Sequence, residues 1–134
     1  MNNILTIHVS LDETVEMKNE QNLVRLILFH GSCDCPNFHG TILKGGVDTQ
    51  IIEKDGHGTL SARYVMKGRD FSNQECEMFI ENDGIISSDG SIQTTPRIIT
   101  NSKSLKWMEE ETLTGDIIPE ADGIQIRINK KGTL

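Results

Sequence analysis

The sequence predicts an all-β protein: a small antiparallel up-and-down β-barrel of about nine or ten strands, with at most one short helical turn. Two observations carry that expectation. Apolar residues recur with a period of two rather than 3.6, which is the signature of strands with one buried face. Turn residues punctuate the chain at intervals of roughly 8–12 residues, and no convincing long helix intervenes.

The elements follow in order. In "LTIHVSL" (5–11) Leu5, Ile7, Val9 and Leu11 share one face, opposite Thr6, His8 and Ser10. "NLVRLILF" (22–29) is almost continuously apolar. Val15, Met17 and Leu23 fall on no common helical stripe, so residues 13–22 read as a polar connection into a strand. "FHGTIL" (38–43) leads to the turn "KGG", and "VDTQIIE" (47–53) to Asp55-Gly56, a hairpin signal. "TLSARYVM" (59–66) ends at "KGRD" (67–70). "ECEMFIEN" (75–82) runs into the Gly/Ser-containing stretch "DGIISSDGS" (83–91), read as a flexible loop. In "QTTPRIIT" (93–100) Pro96 lacks an N–H, which places it at an edge, a bulge or a strand start. "NSKSLKWMEE" (101–110) has room for the one helical turn. "ETLTGDII" (111–118), the turn "PEADG" and "GIQIRIN" (123–129) close the series, with Ile124, Ile126 and Ile128 alternating against Gln125 and Arg127. Hairpin links between neighbours favour the up-and-down arrangement. No repeat or linker divides the chain, so residues 1–134 read as one domain.

Bulk properties narrow the partners. Apolar residues make up 36% of the chain and charged residues 25%, an ordinary globular balance. The net charge of −7 repels phosphate backbones, and no Lys/Arg cluster offsets it, so nucleic acid is not an expected partner. The start, "MNNILTIHVSLDETVEM", lacks a basic region followed by an apolar core, so no signal peptide is expected. No stretch approaches the ~18 apolar residues of a membrane span. Three cysteines, an odd number, argue against a secreted disulfide framework. The expected location is cytoplasmic.

Six segments together resemble the uncharacterised family called domain of unknown function 3237. They are "FHGTILKGGVDTQ" (38–50), "LSARYVM" (60–66), "IENDGI" (80–85), "TTPRI" (94–98), "LKWM" (105–108) and "DGIQIRI" (122–128). The resemblance spans Leu5 to Ile128, and its most specific parts are Gly-Gly-x-Asp-x-Gln, Ala-Arg-Tyr and Thr-Thr-Pro-Arg. It implies a small antiparallel β-barrel and carries no assigned activity, so it supplies no catalytic residues. The chain departs from the family pattern at Thr49, where tryptophan is usual, and at Ile98, where phenylalanine is common. Residues 13–22 also lack the family's glycines. A pocket with fewer aromatics implies a different or smaller ligand.

"HGSCDCPNFH" (30–39) gathers two cysteines and two histidines, residue types that bind zinc. A lone Cys-x-Cys is weaker than paired Cys-x-x-Cys knuckles, and matching positions in the resembled family usually lack these residues. The expectation is a turn carrying small apolar thiols, with no metal and no cofactor. A Cys33–Cys35 or Cys35–Cys76 disulfide under oxidation stays open.

Asp48 and Gln50 are two residues apart and share a strand face with Ile52; Arg63 shares one with Thr59, Ser61 and Val65; Thr95 and Arg97 share a third. If these faces look inward, a carboxylate, an amide, two guanidinium groups and a hydroxyl converge on one cavity. Arginine would then grip a ligand carboxylate or enolate. The alternatives are an internal Asp–Arg pair or plain outward polar residues. Trp107, the only tryptophan, suits either a barrel mouth or the core. The leading functional expectation is a barrel that binds a small organic molecule inside. The second is a cofactor-free isomerase, cyclase or hydrolase, with Asp48 as base and Arg63 or Arg97 stabilising an oxyanion. The third is an assembly protein without a ligand. Apolar residues on both faces of "LVRLILF" predict a homodimer or higher oligomer.

Overall fold

The structure, a computed structural model, describes residues 2–132. Nine strands form it: β1 (Asn2–Lys18), β2 (Asn22–Asp34), β3 (Phe38–Ile42), β4 (Val47–Glu53), β5 (Gly58–Asp70), β6 (Glu75–Ile86), β7 (Ile92–Thr100), β8 (Leu113–Glu120) and β9 (Gly123–Lys130). One 3-10 turn, Lys106–Glu109, lies between β7 and β8. All pairings are antiparallel, and the sheet closes on itself because β1 pairs with both β9 and β2. Closure removes the open edges that would otherwise expose unpaired backbone.

β3 and β4 share one position in the ring. β2 and β5 flank both: β3 pairs with their far ends, at Ser32–Asp34 and Met66–Asp70, and β4 with their near ends, at Asn22–Leu28 and Gly58–Arg63. The weakest seam is β7–β8, which is reduced to the single pairing Thr94–Gly115. Pro96 stands two residues beyond it on β7, where its missing N–H costs no ladder bond to β8.

Period-two alternation decides which side chains go inside. On β5, Leu60, Ala62, Tyr64 and Met66 are buried; on β6, Cys76, Met78, Ile80 and Asn82 are. Ile4, Leu5, Ile7 and Val9 of β1 meet Ile126 and Ile128 of β9 in the same core. Two stretches differ from the sequence reading. Residues 13–18, read as a polar connection, continue β1 as a hairpin arm against β2, with a register shift between Leu11 and Thr14. Residues 83–86, read as loop, belong to β6, and only Ser87–Gly90 turn. Residues 13–18 are exposed throughout and of residues 83–86 only Ile86 is buried, so strand pairing more than burial holds both stretches.

One end of the barrel is sealed. Leu105 and Met108 of the segment around the 3-10 turn are fully buried, with Trp107 packed half-buried against the core. Phe38 enters from β3. Asp70, where β5 ends, ties this end together. Its Oδ1 accepts from the Ser72 hydroxyl at 2.6 Å and the Ser72 N–H at 2.9 Å; its Oδ2 accepts from the Ser102 hydroxyl at 2.7 Å. These donors hold its carboxyl down at about 2. Because the folded value lies below the unfolded one, Asp70 stabilises the fold above the ordinary aspartate range, and that contribution fades as pH falls through about 2. An Asp70→Ala variant is therefore expected to melt below wild type at pH 7. The two melting curves should converge toward pH 2, as circular dichroism melts across that range would show. A gap that stays constant with pH would contradict this role.

Candidate functional site

The other end of the barrel is open, and there the alternation carries polar groups inward. Ile27, Asp48, Ala62, Asn82 and Pro96 stand side by side on β2, β4, β5, β6 and β7. Arg25, Gln50, Leu60, Gly84 and Thr94 form the next row on the same strands, toward the mouth. Neighbouring strands run about 4.8 Å apart, so the Asp48 and Asn82 backbones are about 10 Å apart across Ala62. The small Ala62 methyl leaves room between a carboxyl and an amide that line the same space.

That space is a cavity of about 200 Å³. Its walls are mostly aliphatic, with Leu60, Ile117, Ile124 and Ile126 among them, and Asp48, Gln50 and Asn82 are its polar groups. Phe29 lines it from β2 and meets buried Tyr64 edge to face, with ring centroids 5.3 Å apart. Gln50 Nε2 donates to Asp48 Oδ2 at 3.0 Å. Asp48 Oδ1 and Asn82 Oδ1 are buried and have no hydrogen-bond partner among the described residues. Burial pushes the Asp48 carboxyl up from its ordinary value, and the Gln50 hydrogen bond only partly offsets this. An unpaired acceptor buried in an apolar wall costs about 1–3 kcal/mol, and the two residues that carry them line one cavity here.

Gly115, across the weak seam, is the glycine the site needs. A Cβ there would sit 2.3 Å from Thr94 Oγ1 and 3.5 Å from Asn82 Oδ1. Thr94 Oγ1 instead donates to the Gly115 carbonyl at 3.0 Å and closes the wall.

The expected convergence of five residues is corrected at Arg63, Thr95 and Arg97, and Trp107, left open between mouth and core, packs against the core. Arg63 and Arg97 lie on the outer surface, 61% and 68% exposed, and share Glu81 across three strands, at 3.1 Å and 3.9 Å. Thr95 is exposed beside them. The reason is phase: Arg63 alternates out of step with Leu60, Ala62 and Tyr64, and Thr95 and Arg97 with Thr94, Pro96 and Ile98. Trp107 sits at the sealed end, away from this mouth. Asp48 and Gln50 do line the cavity.

Two residues escape the sequence reading. Asn82 is 1% exposed, and its signal is its step with Cys76, Met78 and Ile80. Arg25, in step with Ile27 and Phe29, stands at the mouth one row above Asp48 and pairs with Glu16 at 2.8 Å. The Cys/His run splits between faces: Cys33 and Cys35 point into the core, while His30 and His39 point outward and pair with Asp12 and Asp34.

Comparison with known proteins agrees with this architecture. A UPF0311 protein of Clostridium acetobutylicum is 31% identical over 85 residues, 61% of this chain and 51% of that protein; the chain thus matches about half the length of its curated relative. A crystal structure of a protein of unknown function from the same organism superposes with a TM-score of 0.81 at 24% identity, covering 96% of this chain and 94% of that one. An enzyme from Penicillium herquei has the same fold, with a TM-score of 0.77 at 13% identity, covering 97% of this chain and 92% of the other. Among the described residues no helix is long and apolar enough to cross a membrane. The model of the family of proteins of unknown function DUF3237 matches residues 1–93, and the chain belongs to that family.

Proposed function

We propose that the open end of the barrel binds a small, neutral, mostly apolar organic molecule that donates hydrogen bonds to Asp48 and Asn82. The observation that carries this reading is the pair of unpartnered acceptors buried in an aliphatic cavity. A cavity of about 200 Å³ is smaller than the ~300–1,000 Å³ of drug-sized sites, so the ligand is correspondingly small. With Arg63 and Arg97 outside and Arg25 at the mouth paired to Glu16, no cation among the described residues lines the cavity, and a carboxylate ligand would lie against Asp48. The test is a thermal-shift screen of small neutral alcohols, phenols and amides against size-matched carboxylates. Neutral donors should raise the melting temperature of wild type, and Asn82→Leu should lose that shift while staying folded. Shifts from carboxylates alone would sink the proposal.

A second reading, catalysis, draws on one observation. Burial pushes the Asp48 carboxyl up from its ordinary value, the direction that makes its carboxylate a stronger base. The fold is shared with an enzyme from Penicillium herquei. The Asn82 amide takes the place earlier given to the arginines as a partner for a developing charge. Under this reading Asp48→Asn keeps ligand affinity and loses turnover. Equal turnover in the variant would exclude Asp48 as the base.

Self-association belongs to the same proposal. Val15, Met17, Leu26 and Ile51 are exposed on the outer face of β1, β2 and β4, and Met17, Val24 and Ile51 stand in one cross-strand row. A continuous apolar face of this kind suits a second copy presenting the same rows, since isologous packing covers both at once. Light scattering at micromolar concentration should give a dimer for wild type and a monomer for Ile51→Glu. A monomeric wild type would contradict this.

A further inference from the structure

The Cys-x-Cys pair is outside the ligand site, and its geometry assigns it a chemistry of its own. Cys33 ends the inward series of β2, and Cys35 begins the turn into β3. Their sulfurs are 3.4 Å apart, on the same inner side of the chain. The third cysteine, Cys76, lies on β6 and has no sulfur partner among the described residues. From these positions we propose that Cys33 and Cys35 are a redox modification site: hydrogen peroxide converts this dithiol to an intramolecular disulfide.

Three features support it. Residues two apart on an extended chain keep their Cα atoms near the upper end of the ~4.4–6.8 Å span of disulfides, so the sulfurs need only rotate and close up. Cys35 sits in a turn rather than mid-sheet, held by reciprocal backbone bonds with Phe38 at 3.1 and 3.2 Å, so closure can fall on the turn residue while Cys33 stays paired with Ile7 and Gly40. The hydrogen bond between the two thiols, in which either sulfur can donate, together with nearby backbone groups pulls the Cys35 thiol down to about 6 and favours it as the nucleophile of the pair. At 8% exposure Cys35 is also the more open of the two, against 2% for Cys33.

The chemistry balances in two steps. The Cys35 thiolate attacks one peroxide oxygen, the O–O bond breaks, and a sulfenic acid and hydroxide form; the hydroxide takes up the proton that Cys35 had released and becomes water. Cys33 sulfur then attacks the Cys35 sulfur, the S–O bond breaks, and the Cys33 proton leaves with the hydroxyl as a second water. Two thiols are oxidised by two electrons, and one peroxide is reduced to two waters.

The experiment counts thiols in the full chain. Protein exposed to excess hydrogen peroxide is denatured under acid, alkylated and digested with trypsin. Cys33 and Cys35 fall in one tryptic peptide, residues 26–44, and Cys76 in another. The expected result is a 26–44 peptide with neither thiol alkylated, lighter by two hydrogens and restored by dithiothreitol, while Cys76 stays alkylated. A Cys33→Ser variant should instead carry a sulfenic acid on Cys35, trapped by dimedone. Both thiols of that peptide remaining alkylatable after oxidation, or a link to Cys76, would overturn the proposal.

Discussion

An Asp48→Leu variant is expected to be more stable than wild type at pH 7, by about 0.5–2 kcal/mol, and to lose the ligand. The wild-type carboxyl is buried beside aliphatic walls, and one of its oxygens has no partner among the described residues. Removing it removes a desolvation cost. The pH dependence has a definite sign. Asp48's folded value is raised above its unfolded value, so the folded state binds more protons across that interval, and its contribution falls as pH rises through it. The variant's advantage should shrink as pH falls through that interval and level off below the ordinary aspartate range, where the carboxyl is protonated in both states. Urea titrations at several pH values check this. A variant less stable than wild type at pH 7 would mean that Asp48 holds the barrel together.

The opposite expectation applies at the sealed end. Phe38→Ala should cost about 3–5 kcal/mol, a large share of a small domain's stability. Phe38 is fully buried at the start of β3. Its ring lies over Gly40, where a Cβ would come within 2.7 Å of two ring carbons, and Gly40 has no side chain with which to fill the void. Chemical denaturation should show the midpoint falling with an unchanged slope. A loss below about 1 kcal/mol would mean that this end repacks freely.

The contrast between these two variants separates what holds the barrel from what it is for, and the sequence discloses the first better than the second. Strand alternation in "LTIHVSL", "ECEMFIEN" and "GIQIRIN" is strong because one face of each meets a dry core, and these segments fold as strands. The hairpin arms at 14–18 and 22–27 carry a weaker signal, since pairing with each other and with β4 secures them. Closure through β1–β9, and the sharing of one ring position by β3 and β4, depend on contacts far apart in sequence, which no local pattern encodes.

For the site, Asp48 and Gln50 were legible because Ile52 shares their face. Arg63 was misplaced by giving its polar face to the interior, although Leu60, Ala62, Tyr64 and Met66 form the more apolar set. On β7 the two faces are alike in polarity, with Thr94, Pro96 and Ile98 against Thr95, Arg97 and Ile99, and only the register with β6 decides. Asn82 hid in plain alternation: a polar residue in step with apolar ones is the mark of a buried amide.

The central claim is that the two unpartnered acceptors exist for a ligand. Its most direct test is a crystal structure of the protein soaked with whichever neutral compound raises its melting temperature most. The account predicts density in the cavity over Ala62, with a donor within hydrogen-bond distance of Asp48 Oδ1 or Asn82 Oδ1. Density on the outer surface beside Arg63 and Arg97, with the cavity unchanged, would contradict it.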